Sequence, residues 1–207
     1  MKVVKKVALI GASGFIGSRL LAELSARGHA VTAIVRNPEK VAALPGVTAV
    51  KGDVFDKDGL AKLIAGHDAV ISAVHFTASD PQLLLAAVKQ SGVKRYLVVG
   101  GAGSLEVAPG VKLFDTKEFP ALYLDEARKG GAYLDQLKGE SDLDWTFLSP
   151  SALIEPGERT GKFRLGKDQL LVDGEGKSRI SAEDYAVALV DELEKPAHSR
   201  QRFTVGY

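Results

Sequence analysis

The sequence predicts a doubly wound α/β fold, a parallel β-sheet with helices packed on both of its faces. Three observations carry that prediction. Short, nearly continuous apolar runs recur along the first two thirds of the chain, as expected of strands buried on both sides. Amphipathic helical segments separate them, so successive strands are joined by right-handed crossovers. The first apolar run ends in a glycine-rich turn that opens directly into a helix.

Taken in order, the first strand is residues 7–10. On the helix that follows, Ile16, Leu20, Leu21 and Leu24 recur at helical spacing, and Gly28 is placed to close it. Residues 30–35 form the second strand and 47–51 the third. Asp56 is positioned to cap a helix carrying Leu60, Leu63 and Ile64, with Gly66 after it. Residues 69–73 read as a fourth buried strand. Asp80 and Pro81 supply an N-cap and first turn for a helix through Val88, which Gly92 ends. Residues 96–99 and 145–148 are the fifth and sixth strands. The last third is less regular. Residues 155–177 contain the turn-like stretch VDGEGK, which suggests a loop and a small hairpin of 170–172 with 178–181. Ser181 and Asp184 then resemble a capping box, Ala186, Leu189, Val190 and Leu193 form one apolar stripe, and 202–205 read as a last strand. The expected organisation is a single domain, 1–207, with 151–207 as a small C-terminal elaboration on the substrate side.

Composition narrows the function. With 27 basic and 26 acidic residues, the net charge is +1, which gives no electrostatic footprint for nucleic acid. The absence of cysteine excludes disulfides, thiolate metal sites and a cysteine nucleophile. The four histidines (His29, His67, His75, His198) lack metal-ligand spacing, so no metal is expected. The start MKVVKKVALIGAS superficially fits a secretory signal. Its apolar stretch is short and broken by Gly11, and cleavage there would delete the first core strand. No run reaches the roughly 18 apolar residues of a membrane span. A cytoplasmic protein with neither membrane nor nucleic-acid partner is expected.

The chemistry begins at ALIGASGFIGSRLL, where Gly11, Gly14 and Gly17 stand three apart between strand and helix. Glycine permits the tight turn and lets backbone N–H groups approach a pyrophosphate resting on the positive end of the helix. The spacing is GxxGxxG, not the GxGxxG of the general fingerprint. At the end of the second strand, where NAD-binding sheets usually carry an acid for the ribose hydroxyls, the chain has Val35 and Arg36. A guanidinium there suits a 2′-phosphate through charge-assisted hydrogen bonds. The alternative is an exposed arginine opening the loop before Pro38, and Lys40 is either an assistant or a solvated lysine.

IGASGFIG, followed by AIVRNPEK, KGDVFD, VISAVH, YLVVGGAGS and DWTFLSP, resembles an atypical short-chain dehydrogenase/reductase. The nearest group is that of the NmrA-like NAD(P)H-binding proteins, which includes NADH–flavin reductase and biliverdin-reductase-B-like enzymes. The resemblance covers nearly the whole chain and implies a Rossmann-like fold that holds NADPH, with NAD as the alternative. It implies that Gly11, Ser13, Gly14, Phe15, Ile16 and Gly17 hold the pyrophosphate. By the same resemblance Asp53 and Val54 face the adenine, although a simple turn or N-terminal cap also explains Asp53. Ser72, Ala73 and Val74 would pass along the cofactor ribose, and Pro150, Ser151 and Ala152 would line the nicotinamide pocket.

The catalytic group is less well marked. Many short-chain dehydrogenases use a YxxxK pair, but here Tyr123 is followed four positions on by Ala127, and Tyr133 by Leu137. GGAGS places Gly100 and Gly101 near the nicotinamide, with Ser104 as the nearby hydroxyl. His75, just past the fourth strand, is placed to donate a proton or is simply a solvent-tipped residue. Tyr123 either contacts substrate or packs with Phe119 and Leu122. Arg159, Lys162 and Phe163 either roof the substrate or form a solvated basic loop. Without an activated tyrosine, a flavin, quinone or small conjugated carbonyl is the expected acceptor, since the cofactor carries the chemistry. A non-catalytic NAD(P)-sensing protein is the rival reading, and a nucleotide-sugar epimerase or dehydratase a third.

Overall fold

A computed structural model describes residues 4–207, so the first three residues of the basic start lie outside that description. The strands are β1 (Lys6–Ile10), β2 (Ala30–Val35), β3 (Val47–Lys51), β4 (Ala69–Ser72), β5 (Arg95–Val99), β6 (Glu106–Ala108), β7 (Val111–Lys112), β8 (Asp144–Ser149), β9 (Leu153–Glu155), β10 (Arg164–Gly166), β11 (Arg179–Ser181) and β12 (Gln201–Gly206). The helices are α1 (Phe15–Ala26), α2 (Lys57–Ile64), α3 (Pro81–Ser91), α4 (Leu124–Lys138) and α5 (Ala182–Glu194).

Eight strands form the main sheet in the order β10-β12-β8-β5-β4-β1-β2-β3. Every neighbouring pair is parallel except β10 against β12. The strand order reverses at β1, between β4 and β2, which opens a crevice at the carboxyl ends of these strands. This is the Rossmann-like doubly wound sheet. Helices α1 and α5 cover one face and share a core with Leu9, Ile71 and Leu97. Helices α2, α3 and α4 cover the other, around Ile10, Val70, Tyr96 and Phe147. The α1 stripe of Leu20, Leu21 and Leu24 is at most 1% exposed, and burying each such side chain contributes about 1.5–3 kcal/mol.

Three parts of the chain differ from the expectation. Helix α4, between β5 and β8, has no counterpart among the helices expected from sequence, and it carries Gly130 and Gly131. Both are close contacts: an added Cβ would lie 2.8 Å from the Phe76 ring at Gly130 and 3.0 Å from the Phe114 ring at Gly131. The hairpin of 170–172 with 178–181 does not form. β11 pairs in parallel with β9, and the Leu170 N–H donates to the Glu106 carbonyl beside the β6–β7 hairpin. The VDGEGK turn is present, closed by Asp173 accepting from the N–H groups of Glu175 and Lys177. Strand β4 ends at Ser72, one residue early.

Candidate functional site

The glycine loop sits at the reversal point, and its glycines answer to different constraints. Gly11 has φ +82° and a Cβ there would lie 2.7 Å from the Ala73 carbonyl oxygen, so β1 turns hard against the end of β4. A Cβ on Gly17 would lie 2.0 Å from the Gly11 carbonyl oxygen. Both glycines are demanded by the protein's own packing. Gly14 is not. Its backbone is extended (φ −75°, ψ 178°), and an added Cβ would find nothing nearer than the Gly11 carbonyl oxygen at 3.4 Å. The first turn of α1 has no side-chain cap and no acidic residue, and Ser13, Gly14 and Phe15 are exposed while Ile16 is half-buried. Uncapped N–H groups at the positive end of a twelve-residue helix, behind a position left empty on the outer side, are suited to an anion.

The neighbouring strand ends complete one side of the crevice. Arg36 follows β2, is exposed, and makes no hydrogen bond or ion pair among the described residues. Lys40 is exposed on the short 3₁₀ turn Pro38–Lys40. Asp53 is exposed and accepts from the Phe55 N–H at 2.9 Å, a local turn, while Val54 is half-buried against the second core. Ser72 is buried, and the Ala73 N–H donates to the Ile10 carbonyl at 2.9 Å, so β1 and β4 end together. Ala73 and Val74 are half-buried there.

On the other side several expected residues are turned away. Ser104 is buried, and its hydroxyl accepts from Arg202 Nη1 at 3.1 Å, which removes it from the crevice. Ser151 is buried with its hydroxyl donating to the Val205 carbonyl at 2.9 Å, so only its backbone is offered; Pro150 is buried and Ala152 exposed. Gly100 is fixed by the Phe147 ring, 2.2 Å from an added Cβ, whereas Gly101 faces open space. Tyr123 is 60% exposed and Leu122 84%, so the packed reading of this tyrosine does not hold. Tyr133 is buried with its hydroxyl on that of Tyr96 at 2.7 Å; burial pushes the Tyr96 phenol up to about 12, so this pair stays neutral. Arg159 does not roof the crevice. It grips Glu23 on the outer face of α1 with two hydrogen bonds of 2.7 Å, and Phe163 packs on the first core.

His75 stands just past β4 with its side chain 82% exposed and Nδ1 3.4 Å from Glu126 Oε1. Sequence reading missed Glu126, which comes from α4, fifty-one positions along the chain. Burial would push its carboxyl up, but bonds from the Thr77 hydroxyl and the N–H groups of Phe76 and Thr77, with the charge of His75, hold it below the usual range. Among the described residues, no three His, Asp or Glu side chains converge as a metal site, and no helix is long and apolar enough to cross a membrane.

A reversed-order parallel sheet with a helix start suited to an anion at its switch point defines a nucleotide-binding α/β protein. The chain belongs to the NAD(P)H-binding family, whose model matches residues 11–196. It is 44% identical to the uncharacterized protein YwnB of Bacillus subtilis over 210 residues, with 97% of each covered. The isoflavone reductase homolog IRL of Zea mays is 34% identical over 103 residues, a stretch that covers 44% of this chain and 33% of that one. Among solved structures, a provisionally named exported protein of Burkholderia pseudomallei is 47% identical with TM-score 0.90, covering 99% of this chain and all 100% of its own. A provisionally named epimerase of Bacteroides thetaiotaomicron is 46% identical with TM-score 0.94, covering 99% and 98%. A provisionally named NADH-flavin reductase of Streptococcus pneumoniae is 37% identical with TM-score 0.81, covering 98% and 99%. The chain is thus an NAD(P)H-dependent oxidoreductase with a Rossmann-like fold.

Proposed function

We propose that the protein is an NADPH-dependent reductase of a flavin, a quinone or a small conjugated carbonyl compound, acting in the cytoplasm. The observation that carries this reading is the anion-suited turn at Gly14 together with the unengaged guanidinium of Arg36 one strand away. In this reading the backbone of Gly11, Ser13, Gly14, Phe15, Ile16 and Gly17 holds the pyrophosphate, and Arg36 holds the 2′-phosphate. Asp53 and Val54 border the adenine, and the backbone of Ser72, Ala73 and Val74 runs beside the ribose. Gly100, Gly101 and residues 150–152 border the nicotinamide, whose reduced ring supplies a hydride when bound. Open space at Gly101 suits a flat ring lying on the backbone. Residues 151–207 close the acceptor side.

The chain's own part is to orient and to exclude water. No tyrosine–lysine pair is available, since Tyr123 lies a helical turn from Ala127 and Tyr133 is buried. That favours an acceptor which takes hydride readily over a nucleotide sugar. The test is NADPH oxidation against a panel of flavins, quinones and enones, for wild type and Gly14→Val. Wild type should turn over at least one acceptor. Gly14→Val should lose NADPH binding in calorimetry yet keep its fold, at a capping cost of about 1 kcal/mol. Tight NADPH binding without turnover on the whole panel would establish the sensor reading instead.

A further inference from the structure

The carboxylate of Glu126 serves a segment outside its own helix. α4 starts at Leu124 with no side-chain cap, and an acid in its third position ordinarily reaches back to its own N-terminus. Glu126 instead accepts from the N–H groups of Phe76 and Thr77, both at 2.8 Å, and from the Thr77 hydroxyl at 2.7 Å. The same segment is fixed from beneath. The Phe76 ring is buried edge-on to Tyr133, and Gly130 leaves no gap above it. The Ser79 hydroxyl donates to the His75 carbonyl at 2.9 Å. His75 therefore has a backbone clamped on both sides, an Nδ1 facing a carboxylate, and a ring exposed at the sheet edge where β1 and β4 end. The other charges on the elements around it are engaged elsewhere: Asp80 on the N–H groups of Gln82 and Leu83, Lys129 on Asp125, Arg128 on Asp115.

We propose that Glu126 is the positioning residue of a proton donor, holding His75 so that its Nε2–H reaches an acceptor that must gain a proton on reduction, a quinone or an α,β-unsaturated carbonyl. The proposal rests on the reductase reading above. The acceptor takes a hydride from NADPH and is left as an oxyanion. The Nε2–H proton passes to that oxygen, its bonding pair stays on Nε2, and the exposed ring regains a proton from water. One NADPH, one proton and one acceptor thus give NADP⁺ and the reduced acceptor. A second partner at the far ring nitrogen is the usual means of fixing an imidazole's orientation.

The test compares wild type, His75→Gln and Glu126→Gln with menadione and with FMN, whose reduced form persists as an anion. For menadione, kcat should fall about 100-fold in His75→Gln and about 10-fold in Glu126→Gln, while KM and NADPH affinity hold. The loss with FMN should be smaller in both. Independently of turnover, the ¹⁵N imidazole spectrum of the cofactor-free protein should show the His75 ring signature altered by Glu126→Gln. A purely structural clamp would shift the Phe76 and Thr77 amide signals and the melting point, yet leave the ring signature and the menadione-to-FMN ratio untouched, and that overturns the proposal. His75→Gln, at an exposed position, keeps the question answerable if Glu126→Gln fails to fold. If wild type reduces neither acceptor, the reductase reading falls as well; if all three proteins reduce menadione equally, only the donor assignment falls.

Discussion

Arg36, unlike Arg159 and Arg202, holds no partner among the described residues. Arg159 is committed to Glu23, and Arg202 to Asp168, Ser104 and Ser149. A guanidinium bonded to a phosphate contributes about 1.5–3 kcal/mol. Arg36→Ala should therefore weaken NADPH binding roughly 10–100-fold and leave NADH, which lacks the 2′-phosphate, nearly unchanged. Fluorescence titration of both cofactors measures this, and equal affinities unaffected by the substitution would make Arg36 a surface residue. The exposed place of Arg36 at the end of β2 was legible in sequence because its position relative to the glycine turn is fixed by one helix and one strand. Ser104 was misjudged and Glu126 missed for the opposite reason. Their partners, Arg202 and the segment after β4, lie 98 and about 50 positions away, so their orientation is a product of tertiary packing.

At the scale of elements, what was local in sequence was recovered. Asp56, Asp80 and Ser181 each accept from the first-turn N–H groups they were expected to cap, because a cap is decided within three residues. β2 and β3 begin and end where their apolar runs do. What was not recovered is non-local: α4 carries two glycines fitted to the rings that press on it, and β9 finds β11 across 26 residues. The same logic identifies a brace no pattern reveals. Arg202 on β12, with a side chain only 5% exposed, bonds Asp168, the hydroxyls of Ser104 and Ser149, and the Ser104 carbonyl. It ties the glycine-rich loop after β5 to the far side of the sheet. Arg202→Met should cost about 1–3 kcal/mol and speed amide exchange at residues 102–105. Because Asp168 is 55% exposed, its charge is re-solvated once unpaired, which keeps the cost below that of a fully buried pair. Unchanged exchange in that loop would show that the brace is redundant.

For the whole molecule, the sheet determines where the crevice lies, and a set of ion pairs on its opposite flank joins elements far apart in the chain. Glu23 on α1 accepts from Arg27 at 2.7 Å and from Arg159, in the segment after β9, at 2.7 Å. Arg27 goes on to Asp191 and Glu194 of α5, and Glu194 meets the buried His29 ahead of β2. Burial would push the Glu23 carboxyl up, but hydrogen bonds from Arg159 and Arg27 overcome it and hold the group below its ordinary 4.5. A group whose folded value lies below its unfolded one gives stability that is present above the unfolded value and is lost as pH falls through the folded one. Stability should thus be level from pH 7 to 5 on this account and decline beneath about 4.5. One such carboxylate steepens the decline by at most about 1.4 kcal/mol per pH unit. Arg159 is 56% exposed, so part of the effect is screened by solvent and salt. Glu23→Gln lowers stability outright by removing a shared acceptor, so its level is no guide; the slope is. Urea unfolding at pH 7, 5, 4 and 3 should give a shallower acid decline for Glu23→Gln than for wild type. Parallel curves would mean that the acid response is set by other carboxylates, Glu126 first among them, whose own depressed value places it in the same window.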